Sequence, residues 1–205
     1  MKAAGRFAGI DRARATSAGL AALALVVAAL LQGPAERSFA THMSQHLLLA
    51  FVVPPLLLLA LGARGRGRIL GSAWAAPIRA AANPIAAAVL FNAILLAAHL
   101  PWTLAVAEAS PPLHAAIHGA MVVGGLLLWI PVLGGLPGPA PLGPTPRMLY
   151  LVIQAPVQMS IATLLALEGD AFDQRLAAAL MAFGGAALAL TGIAGWMAQP
   201  GDKRI

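Results

Sequence analysis

The chain has 205 residues, of which 60% are hydrophobic and only 10% charged, with a formal net charge of +6 and no cysteine. A soluble domain is about half apolar and about a quarter charged, so this composition excludes a water-facing enzyme, a nucleic-acid module and a disordered tail. The missing thiols exclude disulfides, iron–sulfur clusters and thiolate metal sites.

Six apolar stretches are predicted to be membrane-crossing helices, at approximately 15–32, 40–61, 84–101, 112–133, 148–167 and 175–198, together forming one transmembrane domain over 1–205. Each is close to the ~20 residues that a helix needs to cross a ~30 Å hydrocarbon layer. The alternating polarity of a barrel strand is absent. The first stretch follows Lys2, Arg6, Arg12 and Arg14. Its basic flank, its apolar run and the small residues near Ala35 or Ala40 also match a cleaved signal peptide. Cleavage would remove one helix without inverting the other five.

The second helix opens with His42 and His46 and contains Pro54-Pro55, a pair expected to kink it and open a cavity below His46. The connection near 62–83 carries Trp74 and four arginines and is expected to lie on the anionic cytoplasmic surface. The third helix ends at His99, beside Pro101 and Trp102, and the fourth begins with His114 and His118. Six prolines from Pro131 to Pro146 close the fourth helix and leave a proline-rich loop. Asp170 and Asp173 precede the sixth helix, which Asp173 is expected to cap. Gly124-Gly125, Gly184-Gly185, Gly192 and Gly195 suit close helix packing in lipid. Asn92, Gln154, Gln158 and Gln45 are expected to form interhelical hydrogen bonds.

Lys and Arg counts orient the bundle. Eleven lie at the amino terminus, in the second and fourth loops and in the tail with Lys203 and Arg204; only Arg37 and Arg175 occupy the alternate loops. Positive residues stay inside, so both termini are predicted to be cytoplasmic. All five histidines then fall near the outer membrane–water boundary. His42 and His46 are i,i+4, as are His114 and His118, and such pairs share a helix face, so each can offer two imidazole nitrogens to one ion. Met43 neighbours His42, Met121 lies three residues beyond His118, and Met159 and Met181 are expected at similar depth. Imidazole serves either copper state and thioether sulfur favours Cu(I), so histidines above a methionine layer suit copper.

The segment FATHMSQHLLLAFVVPPLLLLALG at 39–62 resembles the signature of the CtaG-like membrane family of cytochrome c oxidase assembly factors, those associated with caa-type oxidases. LHAAIHGAMVVGGLLLWIPVLG and DQRLAAALMAFGG resemble two further segments of that family. The resemblance implies an integral membrane protein needed to mature the oxidase, with copper supply to the enzyme the usual inference. His42, His46, His114, His118 and Asp173 fall on family positions, and His99 sits where the family often has a histidine.

The expectation is an all-α bundle of six transmembrane helices in a bacterial inner membrane, without enzymatic activity. It takes copper at its periplasmic face from a periplasmic donor and passes it to nascent oxidase subunits. The expected metal residues are His42, His46, His114 and His118, with His99 as a fifth or exchange ligand and Met43 and Met121 as softer donors. Imidazole ligates only when neutral, so binding is expected to weaken below pH ~6.5. The competing readings are a haem-bearing redox protein, a metal-free assembly scaffold and a zinc hydrolase, the last opposed by the lack of a glutamate within either HxxxH.

Overall fold

The computed structural model describes residues 2–134, 136, 140–167 and 171–200, and among them there is no strand. Among the described residues, twelve α-helices and one π-helical turn follow in order: α1 Lys2–Leu30, α2 Gln32–Ala35, α3 Phe39–Leu47, the π-helical turn at Leu48–Val52, α4 Val53–Ala60, α5 Ala63–Leu70, α6 Ala75–Ala81, α7 Pro84–Ala98, α8 Pro101–Ala109, α9 Pro111–Leu133, α10 Pro144–Val152, α11 Ala155–Leu167 and α12 Phe172–Met197. Asp170 and the basic tail lie outside the described residues. Prolines at the first positions start α7, α8, α9 and α10, where the missing amide hydrogen has no intrahelical partner to lose.

Among the described residues, five segments are long and apolar enough to cross a membrane: Ile10–Leu30, Phe39–Ala60, Pro111–Leu133, Pro144–Leu167 and Phe172–Met197. The predicted third span is shorter than expected. α7 has 15 residues, about 22 Å at 1.5 Å per residue. It reaches spanning length only with α6, from which it bends by 82°. It stops before His99 because the His99 amide turns to Leu96 and Pro101 cannot continue the ladder. Residues expected as loop form α8 instead. The fifth span is also interrupted, at Ile153–Gln154 between α10 and α11. The protein is an all-α membrane bundle whose described residues hold five candidate spans, or six when the bent pair counts as one.

α12 packs on α3, α10 and α11; α9 packs on α7, α4 and the π-helical turn; α1 packs on α4. Met43, Phe91, Leu95, Met121, Leu128, Ile161, Leu165 and Met181 fill the core between them. Met159, in contrast, is half exposed at 49% and lies outside the methionine layer expected for it.

Pro54-Pro55 does not simply kink the second span. The Pro54 ring would strike the Ala50 carbonyl in a regular helix. The π-helical turn widens the preceding residues, with the Val53 amide bonding Leu48, and α4 restarts with both prolines in its first turn. The widened turn lies against Gly125 of α9: a Cβ there would overlap the Ala50 carbonyl oxygen and meet Pro54 Cγ at 2.5 Å. Gly184 and Gly185 are similarly close to Leu47 and Gln158, but Gly195 has nothing within 4 Å and contributes no packing contact. An apolar recess of about 200 Å³ is lined by Leu47, Phe51, Val52 and Trp129 together with Gly184 and Leu188 of α12; His46, Pro54 and Pro55 do not line it, so it is not the cavity expected below His46. The proline-rich loop folds back where Leu142 donates to the Pro131 carbonyl at 2.8 Å, next to Gly134 at φ 67°.

Candidate metal centre

Three helix ends meet at the same end of the bundle. α3 supplies His42 and His46 from one face. α9 supplies His114 and His118 from one face, and the carboxyl end of α7 supplies His99. The rings pack directly together. His42 stacks on His114 with centroids 5.0 Å apart and an interplanar angle of 7°, while His46 meets His118 edge-on at 5.1 Å. Within each pair the Nε2 atoms face one another, at 2.8 Å for His42 and His46 and 3.1 Å for His114 and His118.

One ring nitrogen from each of these four histidines lies within 4.8 Å of all the others, so the group can hold a metal ion. Metal–imidazole bonds of about 2.0–2.1 Å would put four tetrahedral nitrogens about 3.3 Å apart, so the rings would have to draw in somewhat to hold one ion. Without an ion, each Nε2···Nε2 contact needs one N–H donating to the other nitrogen's lone pair. An ion held through the Nε2 atoms would take these lone pairs, and the ring protons would then reside on Nδ1. The donor set is neutral nitrogen and suits copper or zinc better than magnesium or calcium.

His46 is buried, and His42, His114 and His118 are half-buried. A cavity of about 820 Å³ opens onto His42, His114 and His118 and is also lined by Glu36, Arg37, Ser38 and Asp173. The cavity therefore reaches three of the four histidines, and His46, which is buried, does not line it.

His99 stands beside this set rather than within it. Its Nε2 faces His46 Nδ1 at 3.2 Å and its Nδ1 lies 2.7 Å from the Leu95 carbonyl. Met43 and Met121 are buried in the core.

Asp173 corrects an expectation. It sits in the first turn of α12, but its carboxylate reaches across to α3, accepting from the Ser38 hydroxyl at 2.8 Å and from the Phe39 amide at 2.5 Å. Ser38 in turn caps α3 by accepting from the Thr41 amide at 3.2 Å. The carboxylate thus satisfies free amides of the histidine-bearing helix, not of its own. Sequence reasoning missed this, because only the packing of α12 on α3 brings positions 135 apart together.

Three of the four amides bond as expected. Gln45 donates to the Ala28 carbonyl at 2.7 Å and to Gln32 at 3.0 Å, tying α3 to α1 and α2. Asn92 donates to Gln154 at 2.6 Å, across from α7 to the break in the fifth span. Gln158 differs: it is fully buried, and its amide has no partner among the described residues.

The fold and the site together define an all-helical, multi-pass membrane bundle with a four-imidazole group at one end that could hold a metal ion. Its particular family follows from the whole chain. The chain belongs to the cytochrome c oxidase caa3 assembly factor family (Caa3_CtaG), whose family model matches residues 3–200. No curated protein and no solved structure matches it.

Proposed function

We propose that this assembly factor binds copper through His42, His46, His114 and His118 at the outer, periplasmic face of a bacterial inner membrane and supplies it to nascent oxidase. The observation that carries the reading is the four-imidazole group with its nitrogens within 4.8 Å of one another. Ionisable side chains within spans are costly and are retained chiefly for function. A common wall for α3 and α9 that served packing alone would be apolar.

Both termini are cytoplasmic in this reading, from the basic residues of the alternate loops. The cavity then faces the periplasm, where a copper donor and the oxidase subunits have access to the half-buried histidines. Cu(I) is favoured, and Met43 and Met121 serve as softer donors during transfer. The role is carriage and requires no bond-making chemistry. Direct ring-on-ring packing, with centroids 4.3 Å apart within each pair, leaves no slot for a porphyrin between these imidazoles.

Metal analysis of the purified protein, alongside His42→Ala and His114→Ala, tests the proposal. Copper retained by the parent and lost in both variants supports it. Equal retention in all three sinks it. A parent that retains no copper yet still matures oxidase supports the metal-free scaffold instead.

A further inference from the structure

His99 marks the end of α7, where the last turn tightens. Its own amide bonds Leu96 at 3.1 Å, so the Leu95 carbonyl is open to another donor. The His99 ring turns back on that carbonyl, Nδ1 to oxygen at 2.7 Å. A carbonyl can only accept, so the ring proton of neutral His99 sits on Nδ1 and its Nε2 presents a lone pair. The atom facing that lone pair is His46 Nδ1, at 3.2 Å. His46 must therefore donate from Nδ1, and its own Nε2 is left as an acceptor aimed at the other imidazoles, 2.8 Å from His42 Nε2.

We infer that His99 is a positioning residue: it relays the Leu95 carbonyl to His46 and locks His46 in the Nδ1–H tautomer, leaving Nε2 free to ligate. This rests on the copper reading above and replaces the role of fifth ligand. The chemistry demands such a device at His46 more than at the other three. They are half-buried beside the cavity, where water can exchange ring protons, whereas His46 is 2% exposed. A buried imidazole with Nε2–H toward the site would block the position it should ligate. Hydrogen-bond partners of ligating histidines typically change metal affinity by roughly 10–100-fold when removed.

The test compares the full-length protein with His99→Gln and His99→Leu. Glutamine can donate to the Leu95 carbonyl and accept from His46; leucine can do neither. Ring ¹⁵N NMR of the metal-free protein, with His46→Ala to assign the signal, reads the tautomer. Competition with a chromophoric Cu(I) chelator reads affinity. The expected result is Nδ1–H at His46 in the parent and His99→Gln, and a mixed tautomer in His99→Leu with roughly 10–100-fold weaker copper binding. An Nε2–H His46 in the parent overturns the inference whatever the copper result. So does an unchanged affinity in His99→Leu, or a loss in His99→Gln equal to that in His99→Leu, which would mark His99 as a ligand. A parent that binds no copper defeats the proposed function, while the metal-free tautomer still decides the relay.

Discussion

The Asp173 carboxylate accepts a hydrogen bond from the Ser38 hydroxyl at 2.8 Å, joining the first turn of the last helix to the first turn of the helix that bears His42 and His46. A negative group here meets free amides and the positive end of the α3 dipole. The position of His42, one turn further along, depends on it.

Asp173→Ala is expected to destabilise the protein by about 0.5–2 kcal/mol, the range for losing acceptors at a helix amino terminus. Asp173→Asn keeps an acceptor and is expected to lose less. Thermal unfolding in detergent checks the order, and copper retention should fall in the same order, because the cap sets the angle at which α3 presents its histidines.

If the four histidines form one site, losses on removing them are not additive. His42→Ala and His114→Ala each remove one ligand, and the double variant is expected to lose far less than the sum of the single effects in free energy, since the partners share one ion. Chelator competition on the three variants measures this. Additive losses would mean two separate sites.

Gly125 holds α9 against the widened turn of the second span. Gly125→Ala places a Cβ onto the Ala50 carbonyl and Pro54, and the overlap is expected to cost about 1–3 kcal/mol. Gly195→Ala meets nothing within 4 Å and is expected to be neutral or slightly stabilising. Midpoints of thermal unfolding for the two variants separate a packing glycine from a permissive one.

The chain has no cysteine, so single cysteines report sidedness cleanly. In intact cells Ser110→Cys, between α8 and α9, is expected to react with a membrane-impermeant maleimide. Ser72→Cys, between α5 and α6, is expected to react only after permeabilisation. The reverse pattern would place the histidines on the cytoplasmic side.

Much of this protein was legible in its sequence. Long apolar runs can satisfy their backbone in lipid only as helices, so the bundle followed from composition and run length. The i,i+4 spacing put His42 with His46 and His114 with His118 on shared faces before any packing was known. Local geometry was also the limit of that reasoning. The third span was expected to run to position 101, yet the chain turns at His99 because its amide and ring take different carbonyls. The π-helical turn before Pro54 was equally hidden, since a proline pair predicts disruption without saying how the freed carbonyl is accommodated.

The sequence by itself determined a helical membrane protein and the two histidine pairs, because hydropathy and helical periodicity act within a single segment, and its quoted motifs carried the family resemblance. Only the tertiary structure decided that α3 and α9 face each other with their imidazoles in contact, that His99 backs His46, and that Asp173 serves a helix other than its own. The physical reason is distance along the chain: a hydrogen bond spanning 53 or 135 positions depends on how whole helices pack, and no local pattern of residues specifies that.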